Sequence, residues 1–212
     1  MEITSTMRLT SKSILHEQPI PAACALGVPG PDGPQPGPNH SPHLAWSGAP
    51  ANTKSYAILC VDIDAPARAD DANKADRTIP YDFPRADFYH WVLADIPISR
   101  MELSEGIDAS GLTPRGKEAG HTPHGERGLN SYTQWFAGDP QMDGKYAGWD
   151  GPWPPFNDER VHRYVFTLYA LDVESLKLSP AFSGPDVKRA IEGHVLAEAS
   201  LIGTYTLNPK AR

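Results

Sequence analysis

The segment that most constrains this chain is residues 54–66, where an apolar run leads directly into two aspartates. Residues 56–61 (YAILCV) are apolar at every position, which is typical of a β-strand covered on both faces. Asp62 and Asp64 follow two positions apart, so in a strand they point the same way. Pro66 has no backbone N–H and is expected to end the strand. Because buried carboxylates are costly without partners, the fold must supply partners for both aspartates.

Composition limits the class of protein. The 212 residues suit one domain with a full hydrophobic core, so a single domain over residues 1–212 is expected. The 22 prolines and 18 glycines favour short strands and long ordered loops over a helical bundle. The net charge of -7 argues against a nucleic-acid partner. No apolar stretch is long enough for a transmembrane segment and no signal peptide is recognised, so a cytoplasmic location is expected.

Two further segments have strong strand patterns, residues 88–96 (FYHWVLADI) and 161–171 (VHRYVFTLYAL). Alternation predicts that His90 shares a face with Val92 and Ala94, and that His162 shares one with Tyr164 and the apolar positions beyond it. In both strands a histidine therefore begins a face that otherwise resembles core.

Weaker patterns complete the predicted fold. Short strands are expected at 7–15, 43–47, 132–136 and 201–207, a surface loop at 19–42, and long excursions at 68–86 and 106–149. Ser183, Pro185 and Asp186 form a helix start, since they suit the cap, the first turn and the positive end of the helix dipole. The prediction is a mainly β protein, a two-sheet antiparallel β-sandwich with long loops and a C-terminal helix.

If the ends of the three strong strands meet, their polar residues form one pocket with a stiff proline rim. Apolar walls with a few converging polar groups are the usual composition of a ligand site. The predicted ligand-binding residues are Asp62, Asp64, His90, Pro154, Pro155, His162 and Tyr164.

Several blocks of this sequence resemble those of the phosphatidylethanolamine-binding protein family, also called the Raf kinase inhibitor protein family. They are 62–66 (DIDAP), 90–95 (HWVLAD), 151–155 (GPWPP) and 162–172 (HRYVFTLYALD). Residues 39–46 (NHSPHLAW) and the helix region with His194 resemble its bacterial branch. The resemblance implies a β-sandwich whose pocket accepts phosphate or a phospholipid headgroup, on the same seven residues.

The chain also departs from the family pattern. Ile63 stands where the family has proline, and Trp153 stands where small residues precede the Pro-Pro pair. A tryptophan there narrows the pocket mouth or offers a stacking face. The insertions at 67–87 and 112–147 have no counterpart in the pattern.

The expected chemistry of the pocket rests on its histidines. A nearby carboxylate raises the pKa of an imidazole, so His90 and His162 are expected to be cations that donate to a phosphate oxygen. Tyr164 would add a neutral donor, while Asp62 and Asp64 would orient the histidines and accept from an amine. His90 is expected to be solvated, with few packing contacts to lose.

Two classes of function remain open at this stage. The leading hypothesis is a binding protein for phosphate or a phospholipid headgroup, regulatory through a protein partner, with a homodimer left open. The alternative is a hydrolase of small esters, through a divalent metal or a His90–Asp62 pair acting on a serine. The sequence has neither a Gly-x-Ser-x-Gly nor a His-Glu-x-x-His motif. We therefore predict no catalytic residue, metal ligand or cofactor.

Overall fold

Strands dominate the computed structural model, which describes residues 6–211. The N-terminal segment in which the sequence predicts no signal peptide begins with residues 1–5, which lie outside the described residues. The strands are β1 (Arg8–Thr10), β2 (Gln18–Pro19), β3 (Gly27–Val28), β4 (Gln35–Pro36), β5 (Leu44–Ser47), β6 (Ser55–Pro66), β7 (Arg85–Pro97), β8 (Glu102–Leu103), β9 (Gly120–Thr122), β10 (Gly125–Arg127), β11 (His162–Leu171) and β12 (Val195–Tyr205). The helical elements are a 3-10 turn (Ala22–Cys24), α1 (Tyr132–Trp135) and α2 (Gly184–Ala190).

A seven-stranded sheet forms the centre of the fold, in the order β2-β12-β11-β6-β7-β10-β9. Its neighbouring strands are antiparallel except for β2 and β12, which are parallel. A three-stranded sheet, β1-β5-β8, packs on one face, where Leu44 and Trp46 share a core cluster with Ile58 and Phe166. The predicted mainly β, two-sheet fold is confirmed.

The other face of the large sheet is covered around α2. Val187 and Ile191 join Leu59 of β6 in a second core cluster, so β6 is buried on both faces as its sequence predicts. The predicted helix start is also present, because the Asp186 carboxylate accepts hydrogen bonds from the backbone N–H and the hydroxyl of Ser183.

A β-bulge changes the predicted faces of β7. The register between β6 and β7 shifts by one residue at His90, so His90 and the next residue, Trp91, both point into the sandwich. His90 lies beside Tyr164 there, with ring centroids 5.0 Å apart. Val92 and Ala94 lie in the cluster under α2 instead. The prediction that they share a face with His90 is therefore wrong.

Four other local predictions are corrected. Residues 132–136 contain helix α1 rather than a strand, because the side chain of Asn130 accepts from the backbone N–H of Tyr132 and starts a turn. The segment 19–42 is not simply a surface loop, since it contains short strands and the buried residues Cys24 and Leu26. Of the strand predicted at 7–15, only residues 8–10 form a strand, β1. The closing strand predicted to begin at residue 201 is β12, which begins six residues earlier.

No helix in residues 6–211 is long and apolar enough to cross a membrane.

We expect Phe166→Ala to lower the free energy of unfolding by about 3–5 kcal/mol, because it deletes a fully buried ring from the sandwich core. Val165→Ala on the opposite face of β11 is the matched control and should cost about 1 kcal/mol or less. Urea melts of both variants provide the measurement. Equal losses would contradict the assignment of faces in β11.

Candidate functional site

The ends of β6, β7 and β11 enclose a cavity of about 300 Å³. Register places Asp62 opposite both Tyr164 and Phe88, which brings the polar residues of three strands together. Six of the seven predicted site residues line this cavity: Asp62, His90, Pro154, Pro155, His162 and Tyr164. The seventh, Asp64, does not.

His162 is held between two buried carboxylates at the base of the cavity. Its Nδ1 lies 2.7 Å from Asp62 Oδ2, and its Nε2 lies 3.0 Å from Asp158 Oδ2. Burial alone would lower the pKa of His162, but the two carboxylates outweigh burial and raise that pKa to about 9. His162 is therefore a cation, as predicted, but both of its ring nitrogens are already engaged. It has no N–H left to donate to a ligand.

Asp158, which sequence reasoning missed, receives a second cation. Arg85 contacts its two carboxylate oxygens at 2.5 and 3.0 Å. Burial raises the pKa of Asp158, but hydrogen bonds from His162 and Arg85 lower it below the ordinary value. Asp158 lies in an irregular segment between the proline rim and β11, where strand periodicity gives no signal.

Asp64 is turned away from the cavity. Its backbone N–H donates to Asp62 Oδ1 at 2.8 Å, where the register between β6 and β7 is interrupted. Its buried carboxylate accepts from Arg163 at 2.7 Å and from Arg160 at 3.1 Å. Burial raises the pKa of Asp64, but these arginines lower it overall. The expectation that Asp64 orients a histidine in the pocket is therefore wrong, because its partners are arginines outside it.

His90 differs from the expected solvated cation. Only 2% of its surface is exposed, and its ring packs against those of Phe88, Tyr132 and Tyr164. Its Nδ1–H donates to the backbone carbonyl of Asp150 at 2.7 Å. Burial lowers the pKa of His90 more than the charge of Asp62 and the carbonyl raise it. His90 is therefore neutral at pH 7, and within residues 6–211 its Nε2 makes no hydrogen bond.

Tyr164, another buried residue that lines the cavity, also has a polar group without a partner among the described residues. Tyr164 is fully buried, and its hydroxyl has no hydrogen-bond partner in the described part of the chain. Burial raises the pKa of Tyr164 well above its ordinary value, so the hydroxyl keeps its proton. An unpaired buried hydroxyl is costly, so this group is a candidate for contact with a ligand.

The long excursion after residue 106 holds His90 in place. The carboxylate of Asp150 accepts from Lys117 at 3.0 Å, Asn130 at 2.8 Å and Asn39 at 3.0 Å. These contacts fix the peptide whose carbonyl binds His90. Both insertions also contribute walls: Tyr132 and Trp135 come from one, and Arg68 at the mouth comes from the other.

The described side chains around the cavity do not form a metal site. In the described range 6–211, no group of three or more His, Cys, Asp or Glu side chains has the arrangement needed to hold a metal ion. Among the buried residues that line the cavity, His90 Nε2 and the Tyr164 hydroxyl are polar groups without a hydrogen-bond partner in residues 6–211.

Comparisons with known proteins agree with this fold. The phosphatidylethanolamine-binding protein family profile matches residues 10–206, so the chain belongs to that family. A UPF0098 protein of Methanothermobacter thermautotrophicus is 36% identical over 80% of this chain and 84% of its own. The UPF0098 protein YbhB of Escherichia coli is 29% identical over 94% of this chain and 100% of its own.

Solved structures of family members have the same fold. The crystal structure of Escherichia coli YbcL, described as a member of the mammalian PEBP family, has a TM-score of 0.67 at 25% identity and covers 94% of this chain and 98% of that one. CT736 of Chlamydia trachomatis, described as a homologue of phosphatidylethanolamine-binding protein, has a TM-score of 0.63 at 25% identity and covers 95% and 98%.

We expect His162 to remain protonated well above pH 7. Its folded-state pKa lies above the ordinary value of about 6.5, so the charged form stabilises the fold below that pH. This stabilisation, roughly 3 kcal/mol at most from about 1.4 kcal/mol per pKa unit, should be lost as the pH rises through about 9. Urea melts from pH 6 to 10 and NMR titration of the imidazole provide the measurements. A His162 midpoint at or below pH 6.5 would contradict the two-carboxylate clamp.

Proposed function

We propose that this protein binds the phosphate group of a small anion or a phospholipid headgroup in the cavity between β6, β7 and β11. The observation that carries the proposal is the hydroxyl of Tyr164, a buried donor without a partner in residues 6–211, on a residue that lines the cavity. A phosphate oxygen would accept this hydrogen bond, and hydrogen bonds to charged acceptors are the stronger kind. Family membership supports the same ligand class.

His90 supplies a second, pH-dependent donor in this proposal. Its Nδ1–H is fixed on Asp150, so its Nε2 accepts while the ring is neutral and donates only after the ring takes up a proton. An anion next to Nε2 would favour that protonated form. Phosphate binding at neutral pH is therefore coupled to proton uptake by His90 or to a proton carried by the ligand.

The two buried carboxylates at the base of the cavity are compensated. His162 neutralises Asp62, Arg85 neutralises Asp158, and Arg68 adds a cation at the mouth. Asp62 also keeps lone pairs that are free to accept from the amine of a headgroup such as ethanolamine. For the hydrolase alternative, the described residues provide neither a metal-binding group nor a second observation that favours it.

We expect wild-type protein to bind inorganic phosphate with a Kd of roughly 0.1–10 mM, because few hydrogen bonds remain after the cost of association. Tyr164→Phe should weaken binding about tenfold, the loss expected for a hydrogen bond to a charged group. The same change should leave stability equal or higher, because it removes an unpaired buried hydroxyl. Calorimetric titration and urea melts provide the measurements.

Tyr169→Phe is the matched control, since the Tyr169 hydroxyl binds Lys188 away from the cavity. It should leave phosphate affinity unchanged. Equal affinity of Tyr164→Phe and wild type would show that the Tyr164 hydroxyl does not contact the anion. An absence of phosphate binding up to tens of mM in wild type would refute the proposed function.

The affinity for sulfate, whose own charge is constant in this range, should rise as the pH falls towards the lowered pKa of His90 in the free protein. The physical reason is that the pKa of His90 is lowered in the free protein and would be raised by a bound anion. The slope should approach tenfold per pH unit between these two pKa values. His90→Gln should flatten the profile, because glutamine does not titrate. A flat wild-type profile would mean that only neutral donors hold the anion.

A further inference from the structure

A second cavity of about 310 Å³ adjoins the proposed phosphate site. The two cavities share three aromatic walls: Tyr132, Trp135 and Trp153. Phe136 and Phe156 complete the aromatic lining of the second cavity. Each cavity lies at the lower end of the range of about 300–1,000 Å³ that is usual for small organic ligands. A ligand that fills both is therefore larger than a phosphate ion.

Trp153, the shared wall, is held in a fixed position. Its ring lies directly on Gly27, where an added Cβ would come within 2.3 Å of the ring Cγ. The backbone N–H of Gly27 also donates to the carbonyl of Pro152 at 3.0 Å. Prolines on both sides of Trp153 restrict its backbone further. The flat ring is thus preorganised before any ligand arrives.

The two cavities differ in chemistry. The first contains the charged or polar groups of Asp62, His90 and Tyr164, whereas no charged side chain from residues 6–211 lines the second. The hydroxyl of Tyr132 already donates to the carbonyl of Gly151 at 2.8 Å, so Tyr132 offers the second cavity its ring. One polar side chain, Asn73, lies in the lining.

The aromatic walls favour a planar occupant. The rings of Tyr132 and Phe136 are stacked, with 17° between their planes, and 42% of Trp135 is exposed at the edge of both cavities. Flat aromatic surfaces gain offset-stacked and edge-to-face contacts with another ring beyond the simple burial of apolar area. A flexible chain of equal size would bury area there without those contacts.

We propose that the second cavity is a subsite for an aromatic ring, so that the ligand class is phosphate monoesters that carry an aromatic group. This inference rests on the proposed function, because the phosphate held by Tyr164 and His90 would anchor the ester. Trp153 is then the specificity-determining residue, and it stands where the sequence departs from the pattern of its family.

The test compares three ligands by calorimetry at one pH: inorganic phosphate, benzyl phosphate and cyclohexylmethyl phosphate. The two esters have the same number of carbon atoms and differ in the aromaticity of the ring. We expect benzyl phosphate to bind at least about tenfold more tightly than inorganic phosphate and several-fold more tightly than cyclohexylmethyl phosphate.

Two leucine variants test where the aromatic ring of the ligand binds. Trp153→Leu keeps apolar bulk and removes the shared aromatic wall, so the preference for benzyl over cyclohexylmethyl phosphate should disappear. Phe156→Leu changes a residue that lines only the second cavity. It should weaken benzyl phosphate binding while leaving inorganic phosphate unchanged. Trp153→Phe retains an aromatic ring and should keep part of the preference for benzyl phosphate. This variant replaces Trp153→Leu in the test if the leucine variant fails to fold.

The outcomes separate this inference from the proposed function. Equal binding of benzyl phosphate and inorganic phosphate would overturn the subsite and leave the phosphate site intact. Equal binding of the two esters would overturn the aromatic assignment in favour of a generally apolar subsite. A benzyl preference that survives both leucine variants would place the ring elsewhere and overturn the proposal. Failure of all three ligands to bind would instead refute the proposed function.

Discussion

The structure of the site depends on the cation of His162 between two buried carboxylates. Asp62 belongs to β6, His162 to β11, and Asp158 to the segment that follows the proline rim. Arg85, at the start of β7, completes the chain of charges. Because a buried charge without a partner costs several kcal/mol, this arrangement fixes the ends of three strands and the rim relative to one another. The cation that the sequence offers as an anion ligand is thus already committed to holding the site together.

This commitment changes the expected recognition chemistry. With both His162 nitrogens engaged, the cavity offers the Tyr164 hydroxyl and the Nε2 of a neutral His90. Under the proposed function, such a site would attract an anion less strongly than two imidazolium groups, and its affinity would depend on proton uptake by His90. Burial is the cause, since it lowers the pKa of His90 and leaves Tyr164 protonated. The weak, pH-dependent binding that we propose would therefore follow from the packing around these rings.

Sequence patterns predicted the parts of this fold that periodicity governs. The three strong strands and the face of β11 from His162 to Ala170 follow from apolar alternation, and six of the seven predicted residues line the cavity. The failures arise where single backbone contacts override periodicity. The bulge at His90 adds one residue to β7, and one hydrogen bond from the Asp64 N–H to Asp62 breaks the ladder of β6. Asp158 and Asp150 lie in irregular segments and could not be placed from sequence.

The insertions without a counterpart in the family pattern have a definite place in this structure. The base of the cavity comes from blocks that resemble the family, whereas the insertions supply Arg68, Tyr132 and Trp135 to its walls. The excursion after residue 106 also supplies Lys117 and Asn130, which fix the peptide that orients His90. Loops on a rigid scaffold can change without disturbing the sheet that carries them. In the proposed function, the walls supplied by the loops would set ligand preference, while the strand ends would provide the base that holds the phosphate.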